Sequence, residues 1–219
     1  MNPRKVNTRQ KNARKLLVSV LVLVIVLLSA CAPAATPSPA PIAVAPTAAP
    51  TVAPERTTFS PKTFNLPITL IHSPEWSVAE EYPDEFLLSY AGHDAGMAFI
   101  NVENAKVADG IAFPDDFVTW IKSPASLFQV VESKSVLVGG FQGTQINATA
   151  ACGDKTYWIR LSGTGWKCPN GEHIGFIYLG DAHGERVLIQ IQPSPDGRDY
   201  EFIVEEAQKV LDTVVFSKP

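Results

Sequence analysis

Three cysteines and four histidines are the side chains from which a reactive centre could be assembled most directly: Cys31, Cys152, Cys168, His72, His93, His173 and His183. A metal or redox centre asks for close ligand spacing, and neither Cys-x-x-Cys nor His-x-x-x-His occurs. His93-Asp94 and Asp181-Ala182-His183 lie in glycine-flanked stretches that read as solvated turns. Glu80-Glu81 and Asp115-Asp116 are adjacent acids. Neighbours on a strand point to opposite faces, and acids at a helix start serve its dipole, so neither pair makes a two-carboxylate site. Ser162-Gly163-Thr164-Gly165 is glycine-rich but lacks the Lys-Ser or Lys-Thr of a phosphate loop. No nucleophile elbow or dinucleotide fingerprint is present. No catalytic residue and no metal ligand is named on this reading.

Aromatic side chains are left. Trp166 and Lys167 sit in a glycine-rich segment, residues 163–171, and Tyr157 and Trp158 lie on the strand before it. An exposed Trp on a rigid loop could stack on a sugar ring or a partner surface. The competing reading packs Trp166 over its own disulfide, since Trp is mostly buried. Trp158, with Trp76 and Trp120, also reads as a core side chain.

The 219 residues carry a formal net charge of -4, but unevenly: residues 1–54 contain no acid. Six basic residues, from Arg4 to Lys15, precede an uninterrupted apolar run over 16–30, and the run ends in Leu28-Ser29-Ala30-Cys31. A basic region, an apolar stretch and small residues before a cut describe an export signal. The apolar run is shorter than the roughly 20 residues that span a bilayer. This signal resembles that of bacterial lipoproteins, whose lipobox is Leu, a small residue, Ala or Gly, then Cys. The resemblance implies cleavage between Ala30 and Cys31, diacylglycerol on the Cys31 sulfur and acylation of the new amino group. Two or three chains hold a protein stably at a membrane where one does not. The bacterial signal leaves the sequon Asn147-Ala148-Thr149 without a role.

Export places Cys152 and Cys168 where disulfides persist, so this pair is expected to be bridged. Removing residues 1–30 leaves 12 basic side chains against 22 acidic ones, or -10. That charge argues against nucleic acid and against extra attraction to anionic lipid. The expected partners are the lipid membrane, through the anchor, and an envelope protein or glycan. No cofactor is expected besides the diacylglycerol.

These residues need elements to place them. Residues 31–57 read as the lipidated Cys and a tether. Over 32–55 there are seven Pro and nine Ala, which favour extended chain and a reach on the order of 70 Å. Residues 58–219 suit one domain. Strands are predicted over 64–72, 76–81, 85–90 and 97–102. A helix is predicted from Pro114, with Asp115 and Asp116 in its first turn, ended or bent by Ser123-Pro124 and resumed over 125–128. Strands follow over 129–138, 141–150, 156–161, 173–179 and 186–192, with Gly139-Gly140 and residues 180–184 at hairpin turns. A last helix starts at Ser194-Pro195-Asp196, with Phe202, Ile203, Ala207, Val210 and Leu211 on one face, and a short strand over 213–216 closes the chain.

Grouped strands mean α+β, an antiparallel sheet covered by helices. A Trp strand after a Ser-Pro turn, a mid-chain helix, a strand into Gly-Gly and a closing Leu211-Asp212-x-Val214-x-Phe216 resemble the PsbP-type sandwich. That resemblance implies the same fold over residues 60–219. The function expected is a membrane-anchored, extracytoplasmic, non-catalytic binding or assembly role. The alternatives are an envelope enzyme with an unrecognised site, or a small-molecule-binding lipoprotein serving a transporter. For the latter about 160 residues are few.

If the lipobox acts, Cys31→Ser abolishes lipid labelling and leaves an unprocessed precursor. Normal processing of that variant would overturn the lipoprotein reading.

Overall fold

The computed structural model describes residues 55–153, 157–168, 170–194 and 199–218. The signal segment, the lipobox with Cys31 and the tether over 32–54 lie outside the described residues. The chain divides into two units, Met1–Thr51 and Val52–Pro219, and every described residue belongs to the second.

Seven strands form the central sheet: β3 (Trp76–Tyr82), β4 (Glu85–Tyr90), β5 (Ala95–Asn101), β7 (Phe128–Val138), β8 (Phe141–Ala150), β11 (His173–Ala182) and β12 (Glu185–Gln192). Their order is β3-β4-β5-β12-β11-β8-β7, with every pair antiparallel. Gly139 and Gly140 join β7 to β8 with φ of 58° and 87°, the conformation a two-residue hairpin requires. His183 and Gly184 turn β11 into β12 in the same way, with φ of 60° and 91°; the Gly184 N–H donates to Asp181 Oδ1 at 2.7 Å.

Alternate side chains enter two separate cores. On the first face Phe86, Met97, Phe99, Ile177, Leu179 and Ile189 are buried. Helix α2 (Tyr200–Leu211) covers them, together with a three-stranded sheet of β1 (Thr57–Phe59), β2 (Ile68–His72) and β13 (Val215–Phe216). On the second face Ile100, Ile146, Ile174, Phe176 and Leu188 are buried. Helix α1 (Phe117–Ile121) covers these, with a second small sheet of β6 (Lys106–Val107), β9 (Tyr157–Arg160) and β10 (Gly165–Lys167). The antiparallel α+β expectation therefore stands, but small sheets share the covering with the helices.

Local differences have local causes. Residues 64–67 are not strand, although Phe64 and Leu66 are core plugs; Pro67 has no N–H for a ladder. Asp116 is not in the first helical turn but caps it, accepting the Thr119 N–H at 2.9 Å, and Asp115 instead pairs with Arg186 at 3.0 Å. No helix resumes over 125–128: Ser126 Oγ donates to the Ile121 carbonyl at 2.6 Å, and Phe128 opens β7. In β3 a bulge between Val78 and Glu80 breaks the predicted alternation. Pro195 and Asp196 lie outside the described residues, and α2 begins at Tyr200. Its Phe202, predicted as core, is 43% exposed. Trp120 is half-buried. Thr213 is not strand: its hydroxyl donates toward the Ile71 and Val210 carbonyls and accepts the Ile71 N–H at 2.8 Å, pinning the end of α2 to β2.

Phe99 is fully buried and stacks on Phe86 with centroids 4.6 Å apart. Phe99→Ala is expected to cost about 3–5 kcal/mol in urea unfolding, whereas Leu137→Ala, at a largely exposed site, should stay within about 0.5 kcal/mol.

Candidate functional site

The segment predicted as a loop is a hairpin. From β9 the chain turns at Ser162-Gly163, where the Leu161 N–H donates to the Thr164 carbonyl at 2.9 Å, and returns as β10. A Cβ on Gly165 would stand 3.1 Å from the Tyr157 ring, so a glycine lets the two strands close. Cys168, directly after β10, is joined to Cys152 as a disulfide, with Cα atoms 6.1 Å apart.

Two carboxylates from the turn between β3 and β4 hold the tip of this hairpin. Asp84 and Glu85 are only 7% and 3% exposed. Asp84 Oδ2 accepts the Ser162 N–H at 3.0 Å and the Ser162 hydroxyl. Glu85 accepts the Thr164 hydroxyl at 2.6 Å and the indole N–H of Trp166. Burial pushes the Glu85 carboxyl above the usual carboxylate range; the bonds from Thr164 and Trp166 oppose that, and the charges of Asp84 and Glu80 add to it. The Ser-Gly-Thr-Gly stretch thus presents its hydroxyls to carboxylates, an environment that repels phosphate.

Of the four predicted contact residues, one is withdrawn. Trp158 is fully buried, edge-on to Phe128 and Phe176, and touches no solvent. Its neighbour Ile159 is buried as well, which strict alternation does not anticipate. Tyr157 is half-buried with the Arg160 guanidinium 4.8 Å over its ring, and Lys167 is exposed. Trp166 is half-buried. It packs against the second-face core that contains Cys152, and it also forms a wall of a hollow of about 200 Å³ with Leu87, Ser89, Asp94, Gly96 and Gln192. One side of this Trp is thus core packing, and another borders the hollow.

Asp84, Glu85, Ser89, Asp94 and Gln192 were not singled out from sequence as site residues. Asp84 and Glu85 follow Pro83 and look like ordinary turn acids; nothing local marks them as buried. His93 Nδ1 lies 2.5 Å from Asp199 Oδ2, which ties its turn to the start of α2 rather than to a metal. Among the described residues no group of three or more His, Cys, Asp or Glu is placed to hold a metal ion. Among them, too, no helix is long and apolar enough to cross a membrane.

No family model matches the chain, and no curated protein matches it. Among solved structures it is similar to the solution structure of cyanobacterial PsbP (CyanoP) from Synechocystis sp. PCC 6803, with a TM-score of 0.44 and 8% identity. The match covers 77% of this chain and 96% of that one. A likeness of this degree assigns no residue a role.

A carboxyl raised on folding binds its proton more tightly in the native state. Its stabilising share is fully present below the unfolded carboxylate pKa and is lost as pH rises through the folded value. Glu85→Gln keeps an acceptor for Trp166 and removes the titration. Compared with the variant, the parent should lose urea stability as pH rises above the ordinary carboxylate range. Parallel pH profiles for the two proteins would contradict this.

Proposed function

We propose that this chain is an extracytoplasmic lipoprotein, held to a membrane by diacylglycerol on Cys31, whose domain binds a ligand at the cell envelope without catalysing a reaction. Support for the anchor is the complete lipobox, Leu28 to Cys31, after a basic and then apolar segment. The Pro- and Ala-rich tether supports a domain held away from the lipid surface. We also read the domain as a PsbP-type sandwich, on the Ser-Pro turn, Gly-Gly hairpin and closing motif of its sequence.

Trp166 carries the binding reading. Its N–H is committed to Glu85, so the ring has a fixed orientation, and it borders a hollow lined by a hydroxyl (Ser89), a carboxylate (Asp94) and an amide (Gln192). A fixed ring beside such groups suits a saccharide: the apolar face of a sugar stacks on the indole, and its hydroxyls reach polar neighbours. A preset ring also reduces the ordering cost of binding. Asp84 and Glu85 are occupied by Ser162, Thr164 and Trp166, which supports a holding role for them rather than proton transfer.

The test titrates the lipidated chain in detergent with N-acetylglucosamine oligomers by calorimetry. Trp166→Ala should weaken binding by about 2 kcal/mol. Trp166→Phe keeps a ring, so most of the binding should remain, while the lost bond to Glu85 lowers stability by about 1–3 kcal/mol. Failure of the parent to bind any oligomer, or equal binding by Trp166→Ala, overturns the saccharide reading. A protein that co-purifies from native membranes with the parent but not with Trp166→Ala would take the sugar's place.

A further inference from the structure

On the first face of the sheet, α2 does not reach the β7 edge. Between the helix and the exposed parts of β7, β8 and β11 runs a groove of about 760 Å³. Three polar groups along it have an unpaired atom, and two of these atoms are fully desolvated. Gln145 is 6% exposed and lines the groove, and its side-chain amide makes no hydrogen bond with any described residue. Asn147 donates its Nδ2 to Glu132 Oε2 at 3.1 Å, which leaves its buried Oδ1 unpaired. The buried Tyr200 hydroxyl is unpaired too. Each such group costs about 1–3 kcal/mol, and native folds carry few of them. Three along one groove point to a ligand that completes them.

The charges around the groove indicate its class. Among the lining residues Glu132, Glu201 and Glu205 stand against one cation, Lys134, a formal balance of -2 with His173 neutral, and Glu205 also pairs with Lys209 Nζ at 3.5 Å on its own helix. The unpaired atoms are acceptors or can serve as such. Burial and the charge of Glu132 push the Tyr200 hydroxyl up to about 12, so it stays neutral and accepts through its lone pairs. Val131 and Val204 give the groove apolar wall between its polar groups. Donor-only cationic groups joined by methylene chain match this pattern. A neutral saccharide leaves the negative balance of the lining uncompensated, and an anion is repelled.

We propose that the groove between α2 and the β7–β8 hairpin binds a linear aliphatic polyamine, with its ammonium groups on Asn147, Gln145, Tyr200 and the flanking glutamates and its methylenes along Val131 and Val204. This site is on the opposite face of the sheet from Trp166 and does not depend on the saccharide reading.

The experiment is calorimetric titration of the lipidated chain in detergent with spermidine at low ionic strength. One spermidine should bind per chain, more weakly as salt rises. Glu132→Gln and Gln145→Leu should each weaken binding tenfold or more. Glu80→Gln, an equally acidic site on the far edge strand β3, should leave it unchanged, as should Trp166→Ala. Gln145→Leu removes an unpaired amide from a residue only 6% exposed, so its thermal stability should equal or exceed the parent's. Absence of spermidine binding overturns the proposal. So does binding that falls as much in Glu80→Gln as in Glu132→Gln, or that is untouched by Gln145→Leu. Saturation by a lysine-rich peptide with no response to spermidine would assign the groove to a protein partner instead.

Discussion

Phe86 and Phe99 stack on one face of the central sheet, while Ile100, Phe176 and Leu188 lie beneath the other. Side chains of this size contribute about 1.5–3 kcal/mol each only if water is excluded, so both faces have to be covered. That double requirement shapes the rest of the domain. The 12 residues of α2 cover part of the first face, and β2 and β13 complete it. The five residues of α1 cover still less of the second, so β6, β9 and β10 are needed there. The hairpin with Trp166 is thus first a lid over a core, and its exposure to ligand is limited by that duty.

The way this lid is fastened explains its chemistry. Trp158 and Ile159 anchor the β9 strand of this hairpin in the core, but its tip, Ser162-Gly163-Thr164-Gly165, has no apolar side chain with which to hold itself down. Asp84 and Glu85 do it instead, with bonds to Ser162, Thr164 and Trp166, while the disulfide fixes the other end. Burying carboxylates is costly unless donors meet them, and here each has two. The same bonds that fasten the lid also fix the orientation of the indole.

The two edges of the sheet are treated differently. At β3 the bulge before Glu80 accompanies a turn of Glu81 toward the chain ahead of β2, where it accepts the N–H groups of Lys62 and Thr63 and the Thr63 hydroxyl at 2.8 Å. At β7 a bulge at Val131 and the charge of Lys134 are the devices that discourage edge-to-edge pairing. Among the described residues α2 leaves the Val131–Lys134 stretch of β7 open, and the buried, unpaired Asn147 Oδ1 and Tyr200 hydroxyl lie there with the Gln145 amide.

Much of the strand pattern was legible in the sequence, because it depends on near neighbours. Short β-prone runs bounded by turn residues marked β4, β5, β8, β11 and β12, glycines marked the turns, and the 3.6-residue spacing of Ile203, Ala207, Val210 and Leu211 marked the buried stripe of α2. The α+β class followed from the grouping of the strands, and the pairing of Cys152 with Cys168 from two cysteines left over in a chain read as exported. The short strands β1, β6 and β10 were not legible: two or three residues have no periodicity, and their pairing partners supply the order. Nor was the burial of Asp84, Glu85 and Gln145. Whether a carboxylate or amide leaves water is decided by groups brought to it from elsewhere, and Trp166 lies 81 residues from Glu85 in the chain. For Trp158 and for Trp166 the sequence left both a contact reading and a buried one open. Only the stacking of one small sheet on a large one put the first wholly inside and left the second half in water.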